Sequence, residues 1–269
     1  MDHLEGRAYG PYPYRLCQEK VGEFIAVTGD LPEMWRDVAP PGFAGALLFV
    51  VAPHLLGDPE AGRHTRSVIH GEQRFIWHDV LPMEADCQVS GTVGRIRERA
   101  GLYFVGFELE VAGPDGLLLT GTSSFLMSGE APPAGESPDG GEPEYDAAGP
   151  NDPWTTSTTF TDLRRSASRA DLVRYAAASR DWNPIHWDHE AARRAGLPGV
   201  VAHGLLQVAW AVSAATRLGN RPLEGRFRFK SPLRPAVPAV FRGTAEANAI
   251  RADLIAGDNV VMSADMAMA

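Results

Sequence analysis

The amino-acid sequence predicts an α+β protein made of two similar halves, each a curved antiparallel sheet wrapped round one buried helix. Three observations lead to this fold class. A segment rich in proline, glycine and acidic residues, 130–152, divides the chain of 269 residues near its middle. Each half repeats one order of elements, with a helix, an aspartate-containing loop, a long apolar helix and several strands. Strands that follow the helix, instead of alternating with it, argue against a βαβ unit.

Composition narrows the class of protein further. With 44% hydrophobic residues the chain can build a core, and a net charge of −9 argues against a nucleic-acid partner. No window approaches the ~20 apolar residues of a membrane span, and residues 1–7 lack the layout of a signal peptide. Two cysteines, Cys17 and Cys87, suit neither a disulfide framework nor a zinc site. We therefore expect a cytoplasmic protein that binds no metal, nucleic acid or membrane.

Helix and strand signals occur in the same order in both halves. Helices are predicted over 18–27, 44–56, 170–178 and 203–218. Strands are predicted over 72–77, 87–97, 102–111 and 117–127 in the first half and over 226–231, 239–247 and 259–267 in the second. Ser168 and Asp171 have the spacing of a capping box, and Gly219 is expected to cap the last helix.

An internal repeat supports duplication. Segment 28–37 aligns without a gap with 179–188, and segment 41–48 resembles 198–206. Asp30 then stands opposite Asp181, but Trp35 stands opposite His186. The repeat predicts one active half, the second, and a first half that serves as a scaffold.

A carboxylate and an imidazole lie five residues apart at Asp181 and His186. An imidazole with a pKa near ~6.5 exchanges protons near neutrality, and a carboxylate can bind and orient water. Pro184 disfavours a helix at Asn183, so a loop could bring both groups to one site. Main-chain N–H groups at the next helix start, above all that of Gly204, would stabilise an oxyanion. These groups suit the addition or removal of water at a carbonyl compound, although the pair taken alone favours a surface or capping role.

Further residues are predicted to orient or bind a substrate: Asn183, Trp182, His203, Arg228 and Lys230. For Trp182 and His203 the alternative is packing. Arg228 and Lys230 belong to a basic stretch, 217–234, whose alternative role is a solvated face.

The run 175–188 resembles the hydratase-2 signature of MaoC-like dehydratases and (R)-specific enoyl-CoA hydratases. Segment 202–205 resembles the start of their central helix, and 70–75 is similar to a FAS1-like dehydratase domain. The chain looks like a single-polypeptide version of the actinobacterial two-subunit (3R)-hydroxyacyl-ACP dehydratases. The resemblance implies a double hot-dog fold, divided into a degenerate domain (1–129), a linker (130–152) and a catalytic MaoC-like domain (153–269). The family usually has glycine, which tolerates unusual backbone angles, where this chain has Arg180.

The resemblance also implies a function in fatty-acid metabolism. We expect a hydro-lyase, a (3R)-hydroxyacyl-thioester dehydratase or trans-2-enoyl-thioester hydratase, that acts on CoA-linked or ACP-linked acyl chains by Asp/His acid–base catalysis. No cofactor is implied beyond the CoA or phosphopantetheine of the substrate, and the chain is expected to be a monomer or a homodimer. The alternatives are a hot-dog acyl thioesterase and a non-catalytic scaffold that binds acyl thioesters.

Overall fold

The computed structural model of the chain describes residues 1–130, 132–136, 151–152, 162–246 and 248–269. Most of the predicted linker and the first residues of the predicted catalytic domain lie outside the described residues. No helix in the described ranges is both long and apolar enough to cross a membrane.

Five α-helices and twelve strands are described. The helices are α1 (Gln18–Thr28), α2 (Ala44–Leu56), α3 (Arg169–Ser179), α4 (His189–Arg194) and α5 (Gly204–Thr216). The strands of the first half are β1 (Ala8–Leu16), β2 (Val38–Ala39), β3 (Ser67–Trp77), β4 (Leu81–Pro82), β5 (Ala85–Arg99), β6 (Leu102–Gly113) and β7 (Gly116–Ser128). Those of the second half are β8 (Leu163–Arg165), β9 (Pro222–Phe229), β10 (Ala239–Glu246), β11 (Ala249–Ala256) and β12 (Asn259–Met268).

Ten of these strands form one continuous sheet in the order β1-β5-β6-β7-β3-β9-β12-β11-β10-β8. Five strands come from each half, and the halves meet where β3 pairs antiparallel with β9, with Arg74 opposite Arg226. Arg74 pairs with Glu224 at 2.6 Å, and Arg226 pairs with Glu72 at 2.8 Å, so the two ion pairs cross the seam symmetrically. The predicted double hot-dog fold is confirmed, with its two sheets fused edge to edge into one.

The two apolar helices, α2 and α5, lie in the core beneath this sheet. The backbone before α2 approaches α5 so closely that a Cβ atom on Gly42 would lie 3.1 Å from the Cα atom of Ala209. Helices α1 and α3 also contact each other, through the rings of Phe24 and Tyr175 at 5.8 Å. The helices of both halves therefore share one core.

The predicted helices and strands all exist, with ends shifted by a few residues. The capping box of Ser168 and Asp171 is present at the start of α3. The predicted cap at Gly219 was wrong, because α5 ends at Thr216 with Arg217 as its cap. Five strands, β1, β2, β4, β8 and β11, and helix α4 were not predicted. Pro11 and Pro13 argue against a strand in the sequence, but β1 tolerates both prolines because it lies at the edge of the sheet.

Candidate active site

The turn that follows α3 carries Asp181. Arg180 caps the helix in the left-handed region, at φ 65° and ψ 11°, which is the conformation that glycine usually supplies. The Ser179 hydroxyl donates to the carbonyl of Tyr175 at 2.6 Å, and the Asp181 N–H donates to the Ser179 oxygen at 3.3 Å. Arginine therefore adopts at this turn the conformation that glycine usually supplies.

A short 3₁₀ turn, Pro184–His186, then brings the histidine back towards Asp181. The Asn183 side chain accepts from the N–H of Ile185 at 3.4 Å, and the Asn183 N–H donates to Asp181 Oδ1 at 3.3 Å. Asn183 thus fixes both the turn and the carboxylate, as an orienting residue would.

Asp181 and His186 face each other in a buried site. Asp181 Oδ2 lies 3.8 Å from His186 Nε2, and each residue is only 6% exposed. His186 Nδ1 lies 2.8 Å from the carbonyl oxygen of Val201. Because a carbonyl only accepts, Nδ1 carries the proton, and Nε2 of the neutral ring is left as a base beside the carboxyl group.

Burial favours the neutral form of both groups. It raises the pKa of Asp181 to about 7, against the opposing effect of the Asn183 N–H. It lowers the pKa of His186 to about 4, against the opposing effect of the Val201 carbonyl. Between these values a proton donor and a proton acceptor stand side by side, which is the combination that acid–base catalysis needs.

His203 and Tyr175 lie against this pair. The His203 ring stacks on His186, with centroids 3.7 Å apart, and its Nε2 donates to the main-chain oxygen of Asp181 at 3.2 Å. The Tyr175 ring contacts His203 at 4.8 Å. The sequence indicated a possible role for His203, but the contact with Tyr175 joins residues too far apart in the chain to be read from spacing.

Gly204 is the first residue of α5, where N–H groups have no partner within the helix. A Cβ atom there would lie 2.8 Å from Phe229 Cε1, so the glycine lets the Phe229 ring cover the helix start. The predicted role of the Gly204 N–H as an oxyanion donor fits this position.

Asp181, His186 and His203 offer possible metal-ligand atoms within 4.8 Å of one another. In each ring one nitrogen already faces a main-chain carbonyl, and the two rings stack with centroids 3.7 Å apart at 25° to each other. A tetrahedral site needs ligands that approach the ion from separate directions, so this stacked arrangement suits proton transfer better than ligation.

Two of the predicted substrate-binding residues lie elsewhere. Arg228 and Lys230 alternate along the chain with Phe229, whose ring contacts α5, so they point to the opposite face of the sheet. There Arg228 pairs with Glu72 and Asp265, and Lys230 Nζ lies 4.0 Å from Asp253. They therefore lie on the face of the sheet away from the acid–base pair, and their role in substrate binding stays a prediction. Trp182 is 53% exposed and lies at the surface next to the site instead of inside it.

The corresponding turn of the first half holds a carboxylate of another kind. Asp30 is 6% exposed, forms an ion pair with Arg217 and accepts from the Ser213 hydroxyl at 2.7 Å. Both partners belong to the end of α5, in the other half. The sequence placed Arg217 in a basic stretch but did not indicate that it pairs with Asp30, 187 residues away.

Comparisons with known proteins find relatives of this sequence. The MaoC-like domain family matches residues 151–253. A UPF0336 protein of Thermobifida fusca is 30% identical over 145 residues, which cover 49% of this chain and 95% of that protein. A mitochondrial 3-hydroxyacyl-[acyl-carrier-protein] dehydratase of Arabidopsis thaliana is 48% identical over 42 residues, 16% of this chain and 25% of that protein.

Solved structures share the fold over nearly the whole chain. HtdX of Mycobacterium tuberculosis superimposes with a TM-score of 0.75 at 19% identity, covering 97% of this chain and 99% of that one. A second M. tuberculosis protein, described as a double hot-dog fold, has a TM-score of 0.64 at 11% identity, with 98% and 96% coverage.

Fold and site together define a double hot-dog protein with one buried Asp/His pair. Within that class, the chain belongs to the family of the UPF0336 proteins, and residues 151–253 of its second half match the MaoC-like domain. The matched MaoC-like domain is named for a dehydratase, which is a hydro-lyase.

Proposed function

We propose that the chain is a (3R)-hydroxyacyl-thioester dehydratase, or in reverse a trans-2-enoyl-thioester hydratase, for acyl groups linked to CoA or to an acyl carrier protein. The observation that carries the proposal is the buried pair of Asp181 and His186, 3.8 Å apart, with burial favouring a neutral acid beside a neutral base. The reaction draws on these side chains and the main chain alone, without a metal or an organic cofactor. Its expected setting is the cytoplasm.

Dehydration requires that a proton leave C2 and a hydroxyl group leave C3 of the acyl chain. Nε2 of neutral His186 takes the C2 proton, and the protonated Asp181 carboxyl gives its proton to the departing hydroxyl, so that water leaves. The C2–H electron pair becomes the new double bond. Hydration runs the same steps backwards with the same two groups.

The negative charge that develops on the thioester oxygen needs hydrogen-bond donors. The N–H of Gly204 lies at the start of α5, where the helix dipole favours negative charge. Loss of such a donor costs roughly 3 kcal/mol in other enzymes, so its contribution is comparable to that of a catalytic side chain. His203 and Asn183 would act by holding the reacting groups in place.

The test is a hydration assay with crotonyl-CoA on the wild-type chain and on Asp181→Asn, His186→Ala and Asp30→Asn. Loss of the enoyl absorbance without release of free thiol is expected for the wild type. The two second-half variants should fall by roughly 10²–10⁴-fold in kcat/KM, while Asp30→Asn keeps most of its activity. Release of free CoA would identify a thioesterase, and binding without turnover would identify a scaffold; either result overturns the proposal.

A further inference from the structure

Three aromatic rings form a continuous stack at the site, in the order Tyr175, His203, His186. The centroids are 4.8 Å apart between the first two and 3.7 Å between the last two. His203 is completely buried, and so is Tyr175. His203 therefore contacts both reacting groups, the ring of His186 by stacking and the main chain of Asp181 through its Nε2.

The first half shows that the fold does not require these polar rings. With Asp30 set against Asp181, Phe24 occupies the position of Tyr175; with Gly45 set against Gly204, Ala44 occupies that of His203. Both counterparts are buried, at 1% and 0% exposure. Apolar residues thus satisfy the same packing positions in the half that lacks a catalytic histidine.

Keeping polar atoms at these two positions has a cost. Among the described residues, neither the Tyr175 hydroxyl nor His203 Nδ1 has a hydrogen-bond partner, and both atoms are buried. A buried polar atom without a partner destabilises a fold, and Phe24 shows that a phenyl ring fits the equivalent position. The tyrosine hydroxyl and the histidine ring occur only in the half that carries the Asp/His pair. Their presence is therefore explained by the site and not by the needs of the fold.

We propose that His203 and Tyr175 are positioning residues of the acid–base pair, with His203 holding His186 and Asp181 in register and Tyr175 holding His203. The expected effects on kcat rest on the proposed function, whereas the expected effects on the orientation of the His186 ring do not. His203 presses on one face of the His186 ring while the Val201 carbonyl fixes its Nδ1, so the ring cannot turn its Nε2 away from Asp181. Loss of the stack frees that rotation.

Two variants separate the two contacts of His203. His203→Ala removes both the stacked ring and the donor to Asp181, and His203→Phe keeps a flat ring of similar size but no donor. We expect kcat for crotonyl-CoA hydration to fall at least tenfold in His203→Ala with KM within about twofold, and His203→Phe to recover part of the loss, since small misplacements of reacting groups cost up to about 100-fold.

A third variant, Tyr175→Leu, removes the ring that contacts His203 at 4.8 Å, and kcat should fall by about threefold or more. Tyr175→Phe keeps that ring and gives the position its first-half residue, so removal of the unpartnered buried hydroxyl should raise the midpoint of thermal unfolding with kcat within about twofold. A folded Tyr175→Leu with unchanged kcat would contradict the role of Tyr175. Phe107→Leu, a buried aromatic truncation in the sheet of the first half, is the matched control and should lower the midpoint without affecting the site.

The decisive readout does not depend on activity. NMR of ¹⁵N-labelled histidine reports the tautomer of His186, which should be a single Nδ1–H form in the wild type and in Phe107→Leu, and a mixture in His203→Ala. A folded His203→Ala or His203→Phe with unchanged tautomer and unchanged kcat overturns the positioning role. An inactive wild type with the expected tautomer change would overturn the proposed function and leave the positioning role standing.

Discussion

The two halves build the same turn and use its aspartate differently. Gly29 and Arg180 adopt nearly the same left-handed conformation, at φ 70° and φ 65°. The hydroxyl before each donates back one helical turn, from Thr28 to Phe24 and from Ser179 to Tyr175, at 2.9 and 2.6 Å. The backbone of the site is therefore present twice.

The partners differ. Asp30 meets the guanidinium of Arg217 and the hydroxyl of Ser213, whereas Asp181 meets the Nε2 atom of a histidine. A carboxylate beside a guanidinium is a structural ion pair, and a carboxyl group beside a neutral imidazole is a proton-transfer pair. The comparison teaches that the groups facing the turn, and not the turn itself, separate catalysis from support.

The largest effect is expected from exchange of the residues that differ most between the halves. His186→Trp installs the first-half residue and removes the base, so kcat/KM for crotonyl-CoA should fall by roughly 10³-fold. The reciprocal Trp35→His should add no activity to a His186→Trp background, because Arg217 still occupies the carboxylate of Asp30. Restored turnover in that double variant would show that the ion pair is no obstacle to catalysis.

The ion pair of the first half should matter for stability. The side chains of Arg217 and Asp30 are 2% and 1% exposed, so Arg217→Ala leaves a buried carboxylate without its guanidinium. We expect a loss of about 3–5 kcal/mol in the free energy of unfolding, measured in urea. Arg251→Ala removes an ion pair of an arginine that is 82% exposed and is the matched control, with a change below about 1 kcal/mol. Similar losses in both variants would contradict the assignment.

The carboxyl group of the second half should make stability depend on pH. The pKa of Asp181 is about 7 in the folded chain and near 3.8 when unfolded, so the contribution of this carboxyl group to stability falls as pH rises from about 4 to about 7. His186, whose pKa is lowered to about 4, contributes in the opposite direction, so the test compares the variant with the wild type at each pH. Relative to the wild type, Asp181→Asn should gain on the order of 3 kcal/mol more stability at pH 8 than at pH 4, by urea unfolding at both values. A gain that is equal at both pH values would mean that Asp181 does not titrate in this range.

The smallest effect concerns the residues before the two aspartates. Arg180→Gly relieves left-handed strain of about 1 kcal/mol but loses the contact of the guanidinium with the Tyr14 ring at 5.3 Å, so stability should change by less than about 0.5 kcal/mol. Gly29→Ala brings the strain without such a contact and should cost about 1 kcal/mol. Thermal unfolding of the two variants side by side distinguishes them, and a larger loss for Arg180→Gly would show that the turn depends on the arginine.

Local signals made most of the fold predictable. The apolar runs of α2 and α5, the capping box at Ser168 and the spacing of Asp181 and His186 are all set by residues close together in the chain. The duplication could be read because the repeat survives in the same order. Alternation of buried Phe227 with Arg226 and Arg228 would also have placed the basic side chains on the outer face.

Contacts between distant residues could not be predicted in the same way. The pairing of β3 with β9, the ion pair of Asp30 with Arg217 and the hydrogen bond of His186 with Val201 each depend on how the two halves pack. Spacing within one segment carries no information about such partners. The sequence therefore predicts which residues form the site, but not the contacts that fix their geometry.

The crossed ion pairs at the seam have a consequence for the ancestry of the chain. The antiparallel register is centred on Arg74 and Arg226, and each of these arginines pairs with a glutamate of the other strand. This arrangement has the two-fold symmetry of a contact between identical subunits. Such an interface can exist before the genes for its two sides are joined. Once the two genes are joined in one reading frame, each half can change independently of the other. One half can then lose its histidine and keep only a supporting role, while the other keeps the histidine.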